Sequence, residues 1–190
     1  MPAFDLRGIK VAQYANNNGT ITYTSPTSAG DAMTANLDLT FAEGRLYAEG
    51  KLAEFIREAT GGTISLGVKY IPDTAKKLLF GAADKSRTVG TTTVTGLVYT
   101  ANDEPKYVGV AFYAPDMIDG VKKYTCVFVK KARFGAPTMA YVTKGETITF
   151  NTPTTTGEFL PDDSSAAALF ETAVVDTVAA AQAWITAVLA

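Results

Sequence analysis

The sequence predicts a mainly β (α+β) protein, an antiparallel β-sandwich or partial barrel flanked by a helix, with a further helix at the C-terminus. Three observations carry that expectation. Apolar and polar residues alternate over Ala32–Phe41 and Thr63–Ile71, the period of a strand that buries one face, and in Tyr124–Val129 the residues Tyr124, Cys126 and Phe128 point one way while Thr125, Val127 and Val129 point the other. Residues 104–160 are dominated by Thr, Tyr, Val and Phe and hold four such alternating patterns, a composition that suits pleated surfaces and edges. Turn residues punctuate these runs: Asn18-Gly19, Asp119-Gly120 and Lys144-Gly145 supply the positive φ angles of tight hairpins.

The elements follow in order. Ile9–Tyr14 and Thr20–Tyr23 flank the Asn16–Gly19 turn, where Asn18-Gly19-Thr20 also matches a glycosylation sequon but reads better as a hairpin turn. In Ala32–Phe41, Met33, Ala35, Leu37, Leu39 and Phe41 share one side and Thr34, Asn36, Asp38 and Thr40 the other. Thr63–Ile71 repeats the pattern, with Ile64, Leu66, Val68 and Tyr70 opposite Thr63, Ser65, Gly67 and Lys69. Between them Ala42–Gly62 mixes charges with glycines and reads as an exposed excursion, a loop or protruding hairpin containing a short strand. Pro72–Gly81 is the first helix, with Asp73 as its cap and Gly81 as its stop. Thr91–Thr100 is polar enough for an edge strand. Tyr107–Tyr113 and Tyr124–Lys131 pair through Asp119-Gly120, Met139–Thr143 and Glu146–Asn151 meet at Lys144-Gly145, and Thr154–Leu160 follows Pro153. After the polar stretch Pro161–Ser165 comes a short strand, Leu169–Val175, and then a helix, Thr177–Leu189, capped by Asp176. The alanines there equally allow that helix to begin as early as Ser165.

Composition narrows the function. A chain of 190 residues is expected to form one domain, which buries roughly 70% of its unfolded surface. Residues 1–190 are read as that domain, with a protruding loop at 42–62 and a C-terminal extension at 161–190. Histidine is absent, which removes the commonest general base and metal ligand. The single cysteine, Cys126, lies within a strand pattern and reads as a small apolar core residue; one cysteine makes neither a disulfide within the chain nor a multi-cysteine zinc site. Gly61-Gly62 and Lys144-Gly145 lack the spacing of a phosphate loop. Asp116–Gly120 lacks the alternating oxygen ligands of a calcium loop, and Asp162-Asp163 lies in a polar linker with no apolar pocket to separate two carboxyl pKa values. No catalytic residue, metal or cofactor is assigned, and the chain is read as a non-enzyme.

Net charge is −2, from 17 basic and 19 acidic residues, without the basic excess of a protein that grips nucleic acid. Lys122, Lys123, Lys130, Lys131 and Arg133 flank one strand and are expected to solvate its two ends. Met1–Arg7 has no secretory pattern, and the apolar segment Thr177–Ala190 is shorter than the about 20 residues that cross a bilayer. Synthesis in the cytosol and no membrane partner are the expectation.

Glu104-Pro-Lys-Tyr-Val-Gly-Val-Ala-Phe-Tyr113, Tyr124-Thr-Cys-Val-Phe-Val-Lys-Lys-Ala-Arg-Phe134 and the stretch Tyr141–Phe159, with its Thr-Lys-Gly-Glu hairpin and Phe-Asn-Thr-Pro-Thr run, follow one another as motifs do in a known family. In this the chain resembles the major tail proteins of long-tailed, non-contractile bacteriophages, over roughly Leu37–Leu160. Leu46-Tyr-Ala-Glu-Gly50 and the helix near Pro72 fall at comparable places; the family's usual acidic pair is here only Glu49 followed by Gly50, and the alanine-rich C-terminus does not match. The resemblance implies a tail-tube type sandwich whose copies join edge to edge in hexameric rings, stacked into the tube of a virion tail after assembly in the host cytoplasm. It implies as partners the chain itself, the tape-measure, terminator and tip proteins of the tail, and double-stranded DNA passing without specific binding. Four inward strands from each of six copies make a closed sheet of about 24 strands, roughly 37–50 Å across, which admits a duplex.

Contacts between rings are assigned to the 42–62 excursion, with Leu46, Tyr47, Leu52, Phe55 and Ile56 as apolar anchors and charges such as Glu49 and Arg57 setting register. Two other readings stay open: a monomeric β-sandwich module presenting Tyr residues and Trp184 to a carbohydrate, and the tube of a related secretion or injection device.

Overall fold

A computed structural model describes residues 4–143 and 150–190. It is mainly β, with antiparallel sheets and two helices among the described residues. The strands are β1 (Arg7–Asn17), β2 (Thr20–Ser28), β3 (Ala32–Ala48), β4 (Lys51–Val68), β5 (Ala83–Val89), β6 (Thr92–Val98), β7 (Val108–Ile118), β8 (Val121–Phe134), β9 (Thr154–Phe159) and β10 (Phe170–Val175). Helix α1 (Asp73–Phe80) follows β4 and α2 (Val178–Val188) follows β10.

The main sheet runs β2-β1-β7-β8-β9-β4-β3, and β10 pairs with β8 as a branch. It curls into a partial barrel because β8 changes neighbours along its length. Residues 124–129 pair with β10, and Ala132–Phe134 pair with β9. On the β7 side, Val110 faces Val129 but Val108 faces Ala132, so β8 holds one extra residue at Lys130-Lys131. Such a bulge sharpens the local twist and moves the following side chains to the opposite phase. Val127 and Val129 turn inward before it, and Ala132 and Phe134 after it.

Two apolar layers result. The inner one joins Ile9 and Val11 of β1, Ile64, Leu66 and Val68 of β4, Val108 and Val110 of β7 and Phe159 of β9, closed by Ala75, Leu79 and Phe80 of α1. The outer one lies on the other face of β1, β7 and β8, where Ala12, Ala111, Tyr113, Cys126 and Phe128 meet Ala181, Ile185 and Leu189 of α2. Cys126 is fully buried there, as an apolar residue would be. The alternation expected for Tyr124–Val129 holds.

Several expectations are corrected. Asp73 does not cap α1. Pro72 occupies that position in extended conformation without a side-chain bond, and the Asp73 carboxylate accepts instead from Lys76 Nζ at 2.8 Å. Gly81 ends the helix as expected, at φ 75°. Asp176 does not cap α2 either. The Thr177 hydroxyl accepts from the Ala180 N–H at 3.1 Å, and Asp176 pairs with Lys123 at 3.4 Å. The helix does not reach back to Ser165, because β10 intervenes. Thr91–Thr100 is realised as β6, but its partner is β5, which the sequence reading did not include, in a separate two-stranded ribbon. Met139–Thr143 forms no strand; Thr138 makes an isolated bridge to Thr154. The rest of that expected hairpin, 144–149, lies outside the described residues.

The polar linker is also more than a linker. Asp162 is buried, its carboxylate accepting from the Ser164 hydroxyl, the Ser164 N–H and the Ala168 N–H at 2.5, 3.2 and 2.9 Å. Lys130 lies 3.5 Å from it. Asp163 takes the Tyr14 hydroxyl at 2.8 Å and Lys131 Nζ at 2.6 Å. Lys130 and Lys131 therefore do not solvate a strand end. The bulge on β8 holds the C-terminal segment through both of them.

Burial by itself pushes the Asp162 carboxyl upward, but the Ser164 and Ala168 hydrogen bonds and the Lys130 charge outweigh it and hold the group below the usual carboxylate range. A depressed folded pKa gives stability that is present above the unfolded value and lost as pH falls through the folded one. Asp162→Ala is expected to lower stability by about 2 kcal/mol at neutral pH, by orphaning buried donors. The difference from the parent should shrink below about pH 4. Urea denaturation of both chains across that range checks the magnitude and the sign.

Candidate functional site: an open-edged sheet and its ribbon

Beyond residue 41, β3 and β4 leave the body together and stay paired to the Glu49-Gly50 turn, with Glu49 at φ 51° and Gly50 at φ 75°. Of the two forms expected for 42–62, a loop or a protruding hairpin, the region is the hairpin, with both strands long and continuous rather than one short strand. It extends roughly 26 Å past Phe41 at the usual strand rise. Its foot is set by a bulge, since Thr40 faces Gly61 while Phe41 faces Ala59.

Two glycines make the foot possible. Gly61 sits at φ 152°, and a Cβ on Gly62 would collide with the Asp38 carbonyl and the Phe159 ring. Phe159, itself fully buried, fills the space that a side chain at 62 would need.

The structure divides the expected anchors between two faces. Leu46 pairs with Glu54, Gly44 with Ile56 and Ala42 with Glu58, so Leu46 and Ile56 share a face with two carboxylates. Tyr47, Leu52, Phe55 and Arg57 lie on the opposite face, because a second register shift between Leu46 and Tyr47 sets Tyr47 against Leu52. That second face is laced by its own side chains. Arg57 stacks on Phe41 with its guanidinium carbon 3.8 Å from the ring centre, Arg45 lies over Phe55 at 5.3 Å, and Glu43 bridges both arginines at 3.3 and 3.5 Å. Glu49 stands in the turn. All seven expected residues are exposed, but they do not make one patch.

Within the body, β3, β4 and β9 carry a polar outer face. Cross-strand rows Thr34–Gly67–Thr154, Asn36–Ser65–Thr156 and Asp38–Thr63–Glu158 run across it, and Arg133 of β8 continues the last row. Asp38 and Glu158 are its carboxylates and Arg133 its margin. The opposite face of the same strands is the inner core.

The sandwich is closed on one side by β8 and open on the other. β3 and β10 border the opening, and Leu37, Leu39, Phe112, Val127 and Phe170 line a groove between them. β3 ends the sheet path, so its other edge has no partner strand among the described residues. Its 17 residues contain no proline or lysine, the residues that commonly guard a free edge. The far margin, β2, differs, with Ser25 at φ 54° followed by Pro26, which blunts pairing there.

At the end of β4 away from the ribbon, Lys69, Tyr70, Pro72, Tyr99, Tyr141 and Pro153 line a cleft of about 680 Å³. Trp184 is half-buried against the outer layer and presents no platform. No described helix is long and apolar enough to cross a membrane. A scan of the sequence against protein-family models and a search of curated proteins give no match.

The polar face follows from alternation legible in the sequence; the free edge and the two-faced ribbon do not, because strand order and the register shift between Leu46 and Tyr47 are pairing properties. Gly62→Ala is expected to cost about 1–3 kcal/mol by overpacking at the ribbon's foot, read as a lower urea midpoint with an unchanged slope.

Proposed function

We propose that this chain is the self-assembling subunit of a tail tube, forming hexameric rings that stack into a conduit for DNA. The observation that carries the reading is β3, a long edge strand with neither lysine nor proline that continues into a ribbon projecting from the body. A strand with one neighbour leaves half of its peptide groups for another chain to satisfy, and a second copy does so without exposing anything new. The β3, β4 and β9 face, together with the end of β8, supplies four strands per copy, in keeping with a closed sheet of about 24 in a ring of six. Its rows of Thr, Ser and Asn with Asp38 and Glu158 suit a wall that DNA slides past, since a basic wall would hold phosphates. Helix α2, which covers the outer layer, then lies on the outside of the tube. The resemblance of 104–160 to major tail proteins supports the same reading, and with it the virion location and the other tail proteins as partners.

The Tyr-lined cleft beside β4 favours a second reading, a monomeric carbohydrate-binding module. The two readings part on self-association. A tube subunit gives rings or filaments by negative-stain microscopy when concentrated, whereas a binding module stays monomeric and binds glycans.

Deleting residues 43–58 is expected to leave a folded subunit that forms no filaments; tubes of normal length from that deletion would remove the ribbon from the mechanism. The assembled chain is also expected to show no salt-sensitive affinity for duplex DNA. Micromolar binding at physiological ionic strength, read by fluorescence anisotropy, would contradict the conduit.

A further inference from the structure

Two ribbons leave the body with both faces uncovered. A two-stranded ribbon is marginal by itself, so each is short of a partner. On the β5–β6 ribbon, Lys85, Arg87 and Val89 of β5 share a face with Val94, because Arg87 faces Val94 and Lys85 faces Gly96. Val89 and Val94 are 65% and 53% exposed. Asp84 points the other way and accepts from Lys77 of α1 at 2.6 Å, so the Lys85/Arg87 face looks away from the helix. Neither cation meets a carboxylate among the described residues.

The β3–β4 ribbon offers the opposite charge. Its Arg-stacked face is satisfied within the chain, but Glu54 and Glu58, beside Leu46 and Ile56, meet no cation among the described residues. The two ribbons also stand at opposite ends of the same strand. β4 begins beside the turn of its own ribbon and ends at Val68, and just beyond, Tyr70 and Pro72 share a cleft with Leu97 and Tyr99 at the foot of the β5–β6 ribbon. β4 spans roughly 60 Å in all, of which roughly 25 Å, from the ribbon's foot at Gly61 to Val68, lies between the two ribbons.

We infer that the Glu54/Glu58 face of the β3–β4 ribbon in one copy docks on the Lys85/Arg87 face of the β5–β6 ribbon in a second copy. The inference rests on the tube reading and names the surface that receives the ribbon. Leu46 and Ile56 cover Val89 and Val94, while two carboxylates meet two cations. Charge complementarity of this kind chooses the partner and its orientation. Unlike surfaces at opposite ends make a head-to-tail contact, which repeats without closing and builds a filament. A chain does not satisfy the contact by folding back on itself, because its two ribbons leave opposite ends of the β4 segment that is paired within the body on both sides.

The test uses two full-length variants, Glu54→Lys/Glu58→Lys and Lys85→Glu/Arg87→Glu, all at exposed positions. Each alone presents like charges at the contact and is expected to need at least about tenfold more protein to form filaments. Mixed in equal amounts, they pair opposite charges at every junction, and filaments should return as an alternating copolymer. Wild-type filaments together with unimpaired variants would overturn the docking and leave the tube reading standing. If the wild-type chain stays monomeric at high concentration, the tube reading fails, and a second measurement decides the docking. Ile56→Cys chains are mixed with Val94→Cys chains under mild oxidation, Cys126 being buried. A disulfide specific to the mixed pair upholds the contact, and its absence overturns that too.

Discussion

Strand β8 changes neighbours part-way along one curled sheet, and the architecture depends on that exchange. One extra residue at Lys130-Lys131 lets the strand pair with β7 and β10 along its first part and with β9 at its end. The sandwich is therefore sewn shut along one side by a single strand, with no such strand on the other among the described residues. Inward packing of Val127, Val129, Ala132 and Phe134 across the bulge makes the bend part of the core, so it cannot relax without opening buried surface. The lysines at the bend hold Asp162 and Asp163, which fixes the C-terminal segment and lays β10 and α2 on the outer face. One irregularity thus positions both halves of the body and its last 30 residues.

An opening on one side has chemical consequences. Peptide groups along β3 face outward without a ladder, and the apolar groove beside them is bordered by β10 rather than filled. A monomer that ended there would usually guard the edge with a lysine, a proline or a short strand. β2 is guarded, by Ser25 and Pro26, and β3 is not. The two margins of one sheet are therefore unlike, and an unguarded β3 paired to a different surface of the next copy would be a heterologous contact, the kind that can close into a ring. Along the perpendicular direction the two ribbons, one acidic and one basic on their free faces, repeat the same logic of unlike ends.

Much of this was legible in the sequence, and the misses share a cause. Period-2 alternation marked β3 and β4 because each buries one face against a core, and β7 and β8, buried on both faces, stood out by their Val, Tyr and Phe content. β5 escaped notice because Asp84, Lys85, Ser86 and Arg87 bury neither face, which leaves no hydrophobic period to read. Met139–Thr143 shows strand composition but lacks a ladder beyond the bridge at Thr138, a reminder that β propensity reports fit to a neighbour. Both helix caps were placed one residue from their true neighbours, at Asp73 and Asp176, where a good capping residue has a lysine within reach and bonds to it instead. The ribbon residues expected to anchor a neighbour are all exposed, but a register shift between Leu46 and Tyr47 decides which of them stand together, and pairing registers are not written in a single strand. Asp162 looked like linker because nothing local announces that Lys130 and three donors converge on it.

Hydrogen exchange along β3 tests the central claim most directly. The amides of Ala32–Phe41 that point away from β4 should exchange quickly in dilute protein and become strongly protected on concentration, as rings and filaments appear, while the amides facing β4 stay protected throughout. Fast exchange of the outward amides at every concentration, with the chain sedimenting as a single copy, would contradict the account.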